Sequence, residues 1–356
     1  MKTPRRDGWR TAFAPATVAN FGSGFDAFAA AIAAVGPGAK GGGRGGGGRR
    51  APRRGVRAGG QTVASSSGPF SGLLGDTVSV RLTKRTGVRV AAIEGDGGRL
   101  PRAASRNCAA VAAAAVLRKL RAPFGLDLVL RKGLPLSSGM GSSAASAAAG
   151  AYAAALALEI TDVRGFDKRV LLVPALLGEH IADGSWHGDN VFASLMGGGL
   201  IVVATRTAEI VPLKSPASLR LVIVHPDFEL ETRRARAALP ARVTVADAAA
   251  QAGRFASLVE AWPRGDRRAI GLGLADRLAE PYRAPLVPGY AAAKRAALKA
   301  GAHGVTFSGA GPSVVAVAPE GGEARVARAL RGAFARAGLG SDAVVCRIDA
   351  RGAREA

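Results

Sequence analysis

The sequence predicts an α+β protein of two domains, on three observations. Its 356 residues are about twice the length of a typical single domain. Hydrophobic residues reach 48% but aromatics only 5%, so a core must form from small aliphatic side chains packed closely, and global disorder is excluded. Strand-like and helix-like segments alternate, with no internal repeat of about 20 to 50 residues.

Taken in order, Phe25 to Val35 is an apolar stretch, followed by a Gly/Arg tract. Pro37 to Gly68 holds 12 Gly and 7 basic residues (Lys40, Arg44, Arg49, Arg50, Arg53, Arg54 and Arg57) with no acid. It reads as an inserted flexible loop, since little in it offsets the entropy of ordering, and long insertions add little to loop closure. Val78, Val80 and Leu82 then alternate as in a strand, Asn107 to Leu120 has helix-forming composition, and Leu126, Leu128 and Leu130 alternate again. After a Gly/Ser loop, a long Ala-rich helix runs from Ser142 to about Glu159. Asn190 to Met196 is a helix stopped by Gly197-Gly198-Gly199, and Leu200 to Ala204 a buried strand. The domain boundary is placed there, dividing 1–204 from 205–356. The second half reads as a strand at Leu219 to Val224, a helical polar stretch to about Asp276, a helix at Lys294 to Ala300, and strand, Gly loop, strand from Gly304 to Val317.

The formal charge of +23 invites a nucleic-acid reading until it is located. Setting aside the tract's 7 and a net +3 in the first ten residues leaves +13 for the rest. That balance suits a protein handling anionic ligands, while the tract lacks the interleaved aromatics that stack on bases. No apolar run reaches a membrane span, and Met1 to Arg10 lacks the apolar region of a secretory signal. Cys108 and Cys346 match no metal spacing and fit a reducing compartment. The cytoplasm is expected, or the plastid stroma if a transit peptide preceded this start.

The strongest chemical signal is Pro135-Leu136-Ser137-Ser138-Gly139-Met140-Gly141-Ser142-Ser143, between a strand and a helix. Glycines let a backbone approach an anion, the helix start offers free N–H groups, and serine hydroxyls can contact phosphate or Mg²⁺. The loop lacks the Lys of a Walker A motif and the Rossmann spacing. The plainer alternative is a serine-capped helix after a turn. Ser308-Gly309-Ala310-Gly311-Pro312-Ser313 is a second Gly loop, as compatible with a tight hairpin as with a ligand. Between the two lie Gly178-Glu179 and His187-Gly188-Asp189-Asn190. Phosphoryl transfer needs a carboxylate for the metal and groups that position the acceptor. Alone, Glu179 reads as a solvated helix-end carboxylate and His187 as a structural turn residue.

Together these blocks resemble the GHMP kinases. The match is carried by Phe13-Ala14-Pro15-Ala16-Thr17-Val18-Ala19-Asn20 through Gly24-Phe25-Asp26, the Gly/Ser loop, His187 to Gly199, and Ser308 to Ser313. Thr232 through Arg236 to Leu239-Pro240, and Glu280-Pro281-Tyr282-Arg283 to Pro288-Gly289, make it similar to the homoserine kinase family within that group. The resemblance implies an N-terminal domain like the second domain of ribosomal protein S5, a ferredoxin-like C-terminal domain, and an active site in the cleft between them. It implies ATP-dependent phosphorylation of the L-homoserine hydroxyl, an early step towards threonine, with Mg²⁺ as cofactor. Pro135 through Ser143, Gly309 and Gly311 would hold the ATP phosphates, Asn107 would line the adenine side, and Ser143 and Glu179 would hold the metal. Asn20, Asp26, His187, Asn190, Arg236 and Arg283 would form the amino-acid pocket, Asp26 facing the ammonium and the two arginines the carboxylate. Asn190, Asp189 and Arg236 are the catalytic candidates, Asp189 being the rival base in a mechanism expected to rely on alignment.

Two positions depart from that pattern: Ser23 stands where the family usually has Pro, and Gly188 where it has Pro or Ala. The rival readings are another GHMP small-molecule kinase such as a mevalonate-type enzyme, a Gly/Arg RNA-binding protein, and a kinase-fold sensor without turnover. No specific nucleic-acid or membrane partner is expected; a homodimer is compatible with the reading.

Overall fold

The computed structural model describes residues 8–35 and 73–356. The Gly/Arg tract from Pro37 to Gly68 lies outside the described residues.

The N-terminal half is built from β1 (Arg10–Ala19), β2 (Phe28–Ala34), β3 (Gly75–Thr83), β4 (Gly87–Glu94), α1 (Cys108–Lys119), β5 (Gly125–Arg131), α2 (Ser142–Ala157), α3 (Leu172–Asp183), α4 (Asp189–Met196) and the hairpin β6 (Gly199–Ala204) and β7 (Glu209–Leu213). Then come β8 (Leu221–Pro226), α5 (Thr232–Ala237), α6 (Val245–Ala261), α7 (Arg267–Gly273), α8 (Glu280–Arg283), α9 (Tyr290–Lys299), β9 (Gly304–Phe307), β10 (Val314–Val317), α10 (Glu323–Arg336), β11 (Ser341–Ile348) and β12 (Arg354–Glu355). The architecture is α+β, as expected. The strands form one connected network in the order β4-β5-β3-β1-β2-β11-β8-β10-β9, with β6 branching from β2 and β12 from β1. Only β4 and β5 pair in parallel among these strands.

β1 joins the two halves of that network. Its residues 10–15 pair with β3 and 16–19 with β2, and Pro15, which has no N–H to donate, sits at the changeover. α2 is buried on nearly every face, Ser143 and Tyr152 excepted. Alanine on all sides permits this, because neighbouring backbones can approach to where a larger side chain would intrude. A Cβ on Gly150 would lie 2.3 Å from the Ala109 carbonyl oxygen of α1. The second face of the sheet packs a different core, in which Trp262 meets Phe28 at 4.8 Å and Phe21 at 6.0 Å between ring centres. Such aromatic pairs contribute about 0.5–1.5 kcal/mol beyond their buried area. They clamp both sides of the 20–27 turn that carries Asp26.

Boundaries shift where tertiary pairing overrides local composition. The strand expected at Leu219 to Val224 is Leu221–Pro226, where β10 and β11 pair with it. The helix expected from Lys294 begins at Tyr290, after Gly289 in the left-handed region. The helix from Ser142 ends at Ala157, and Glu159 beyond it has φ 56°. The polar stretch to Asp276 divides into α5, α6 and α7. No helix among the described residues is long and apolar enough to cross a membrane.

Candidate active site

The loop from Pro135 to Ser143 runs from β5 into α2. Ser137, Gly139 and Gly141 have φ of 52°, 75° and 68°, and this alternation turns successive backbone N–H groups to one side, as in anion-binding nests. No side chain among the described residues caps the start of α2, so its first amides remain available to a ligand. Ser138 Oγ is buried with no partner among the described residues. Beneath the loop, the Lys132 ammonium is buried against the Asp76 carboxylate and donates to Ser142 O at 2.8 Å and Ser146 Oγ at 3.0 Å. Asp76 also accepts from Ser146 Oγ at 2.7 Å and Gly133 N at 3.0 Å. This network ties the first turn of α2 to β3 and the end of β5.

The second Gly loop packs on the first. Ser308 Oγ donates to Gly139 O at 2.8 Å, Ser313 N donates to Ser138 O at 3.4 Å, and Gly309 N donates to Ala19 O at 2.8 Å. A Cβ on Gly139 would lie 2.4 Å from Ser308 O, and one on Gly309 2.8 Å from Gly139 O. Glycine is required on both sides of that contact. A cavity of about 540 Å³ opens at Pro135 and Leu136, bounded by Gly95–Gly97, Arg99, His225 and Asp227–Glu229. Burial lowers the His225 pKa, and its Nδ1 lies 3.0 Å from Ser313 Oγ.

Ser143 and Glu179 meet: the Ser143 hydroxyl donates to Glu179 Oε1 at 2.9 Å. Gly178 brings this about, because a Cβ there would lie 2.5 Å from Cys108 O and 2.8 Å from Ala112 Cβ. α3 therefore packs tightly on α1 and carries Glu179 over the start of α2. A hydroxyl and a carboxylate are hard oxygen donors suited to Mg²⁺, which usually takes one or two protein ligands beside phosphate oxygens and water. No group of three His, Cys, Asp or Glu side chains forms a metal site among the described residues.

The remaining candidates gather around Asp26 and Phe25. Arg236, on α5, forks onto Asp26 with Nη1 at 3.1 Å and Nη2 at 2.8 Å, and His187 Nδ1 lies 4.0 Å from the same carboxylate. The resemblance assigned Asp26 and Arg236 to opposite poles of a ligand; in the structure they also pair with each other. Arg283 is 2% exposed; its Nη1 donates to Gly309 O at 3.3 Å and its Nε to Ala235 O at 3.4 Å. Arg283 Nη2 and Arg236 Nε are buried with no partner among the described residues. Burial, reinforced by the neighbouring Arg236 charge, brings the Arg283 pKa down to about 10. The Phe25 ring lies under both guanidinium groups, 5.8 Å from Arg236 and 5.2 Å from Arg283.

Asn20 and Asn107 are engaged internally. Asn20 Oδ1 accepts from Asp26 N at 2.8 Å, holding the turn. Asn107 caps α1 by accepting from Ala110 N at 3.2 Å, and its Nδ2 donates to Pro101 O at 3.2 Å. Asp189 opens α4 and is 3% exposed. Burial, with the nearby Asp26 charge, pushes its pKa up to about 6. The two departures are accommodated: Ser23 Oγ donates to Gly273 O at 2.7 Å, while a Cβ on Gly188 would lie 2.3 Å from the Phe192 ring. Sequence reasoning assigned no role to Thr17 or Phe25, although both stand inside the first motif block. Asp76 and Lys132, 56 positions apart, carry no sequence signal that joins them.

Residues 107–198 match the family model described as GHMP kinases N terminal domain and residues 257–336 that described as GHMP kinases C terminal. The homoserine kinase of Xylella fastidiosa (strain 9a5c) is 42% identical over 282 residues, covering 79% of this chain and 85% of that one. That of Xanthomonas campestris pv. campestris (strain B100) is 41% identical over 287 residues, covering 80% and 87%. The crystal structure of homoserine kinase from Cytophaga hutchinsonii superposes with a TM-score of 0.81 at 33% identity, covering 99% of each chain. The R-mevalonate complex of L. major mevalonate kinase (TM-score 0.63, 17% identity) shares the fold. With both family models matched and relatives near 40% identity across most of their length, the chain belongs to the homoserine kinase family of the GHMP kinases.

Proposed function

We propose that this enzyme transfers the γ-phosphoryl group of ATP to the side-chain hydroxyl of L-homoserine. The observation that carries the substrate assignment is the pair of buried donors with no partner among the described residues, Arg236 Nε and Arg283 Nη2, beside the Asp26 carboxylate. Homoserine is a zwitterion. Its carboxylate takes those guanidinium N–H groups and its ammonium takes Asp26, with Phe25 and Asn20 holding the three charged groups in place. Mevalonate has no ammonium for Asp26, and galactose has neither pole.

The nest at Ser137–Gly141 and the start of α2 receive the ATP phosphates, the loop from Gly309 to Gly311 closes over them, and the cavity beside Leu136 receives the nucleoside. Asn107 acts there by fixing its loop. Ser143 and Glu179 would hold Mg²⁺, which supplies positive charge to the phosphate oxygens during transfer. Asn190 positions the acceptor hydroxyl, His187 lies beside Asp26 at the amino-acid end, and Asp189 supports α4 rather than serving as base. We divide the domains at 204/205, between the two family-model matches, although the β6/β7 hairpin spans that point. The bacterial relatives support a cytoplasmic enzyme over a plastid one.

Initial rates of ATP consumption with L-homoserine, mevalonate, galactose and shikimate test the assignment. Homoserine is expected to give the highest kcat/KM, and a higher value with mevalonate would overturn the reading.

A further inference from the structure

We infer that Thr17 is a positioning residue for phosphoryl transfer: its hydroxyl engages Asn190 Oδ1, so that the Asn190 amino group is what the amide presents to the acceptor oxygen. This rests on the reading that Asn190 faces the acceptor hydroxyl.

Thr17 is fully buried in β1. Its Oγ1 donates to Asn190 Oδ1 at 2.6 Å, and its N–H donates to Met140 O at 3.1 Å. A Cβ on Gly141 would lie 2.1 Å from Thr17 Oγ1 and 3.0 Å from Asn190 Oδ1. The last residue before α2 is thus pressed against this hydrogen bond, which joins β1, the phosphate loop and α4. Thr17 is β-branched, so its hydroxyl has little rotational freedom.

The sense of the amide follows from its neighbours. Asp189 Oδ1 accepts from Asn190 N at 2.8 Å and faces Asn190 Nδ2 at 3.4 Å. Exchanging Oδ1 and Nδ2 would turn the amide oxygen towards that carboxylate, acceptor against acceptor. Asp189 therefore sets the orientation, and Thr17 holds it by donating to Oδ1.

The consequence is chemical. An amino group can donate to a lone pair of the homoserine hydroxyl but cannot accept its proton. The remaining lone pair forms the bond to γ-phosphorus, the bond from γ-phosphorus to the bridging oxygen breaks with its electrons leaving on ADP, and the hydroxyl proton passes to an oxygen of the transferred phosphoryl group. Thr17 contributes by keeping a donor, rather than an acceptor, at the hydroxyl.

The test is steady-state kinetics of Thr17→Val and Thr17→Ser. Removing the hydroxyl is expected to lower kcat roughly tenfold or more, with both KM values within about twofold, because Asn190 Oδ1 loses its donor and the amide a partner that holds its orientation. Thr17→Ser is expected to restore most of kcat. Should Thr17→Val melt too low to assay, Asn190→Asp serves: it keeps an oxygen for Thr17 and replaces the amino group by an acceptor, and is expected to lose kcat as deeply as Asn190→Ala. A kcat near normal in Thr17→Val, or in Asn190→Asp, while Asn190→Ala is slow overturns the inference and leaves the assignment of Asn190 standing. A normal kcat in Asn190→Ala overturns that assignment, and the inference with it.

Discussion

Replacing Arg283 by lysine probes the carboxylate end of the pocket. The guanidinium serves three directions at once: Nη1 to Gly309 O, Nε to Ala235 O, and Nη2 to no described residue. A lysine keeps the charge but gathers its donors on one nitrogen, so it cannot hold the Gly309 carbonyl and grip a carboxylate with a planar fork. Losing one charge-assisted hydrogen bond costs about 1.5–3 kcal/mol, which corresponds to roughly 10- to 150-fold in homoserine KM. The two protein contacts, at 3.3 and 3.4 Å, lie at the weak end of the range, so the stability cost is about 1 kcal/mol or less. The same burial that lowers the Arg283 pKa to about 10 acts on a lysine that begins about two units lower. The homoserine KM of Arg283→Lys should therefore climb further from pH 7 to 9, as the neutral amine loses its attraction for a carboxylate. The assay is ADP release with homoserine varied at saturating ATP, beside a thermal melt. An unchanged homoserine KM, or an ATP KM that rises as steeply, would refute the assignment.

Glu179→Gln keeps an oxygen for Ser143 but loses the metal-facing charge; kcat should fall and the Mg²⁺ needed for half-maximal rate should rise, whereas normal turnover at low Mg²⁺ would move the metal elsewhere. Lys132→Met leaves the Asp76 carboxylate buried without its cation, and urea unfolding should show a loss of about 3–5 kcal/mol; a loss below about 1 kcal/mol would contradict the network. Asp189 has its folded pKa raised to about 6, so its contribution to stability is complete below the ordinary carboxylate value and is lost as pH rises through about 6. Asp189→Asn should flatten the melting temperature across that window while lowering kcat less than about 100-fold, since removing a true base costs about 10²–10⁴. Deleting residues 37–68 should leave kcat/KM near its original value at low and high salt, and equal loss at both with the protein folded would make the tract part of the site.

The features visible in the sequence are those written in local chemistry. The glycines and serines of 137–143, the Ala-rich run after them, and Ser308 to Ser313 announce a turn, a helix and a loop because φ preference and capping act within a few residues. The motif blocks also identified Asp26, Glu179, His187, Asn190, Arg236 and Arg283 as candidates. Their arrangement belongs to the tertiary structure. β1 is buried on both faces and contains a proline, so no alternation reveals it; pairing with β2 and β3 makes it a strand. Neither does the sequence show that Asp26 and Arg236, 210 positions apart, share an ion pair, that Gly178 is the close contact placing Glu179 over Ser143, or that Lys132 is buried against Asp76. A residue's backbone preference depends on its immediate neighbours, but the pairing of its polar atoms depends on which distant segments pack beside it. In a chain with a core this rich in alanine, those segments approach closely enough that a single Cβ at Gly139, Gly150 or Gly178 would push them apart.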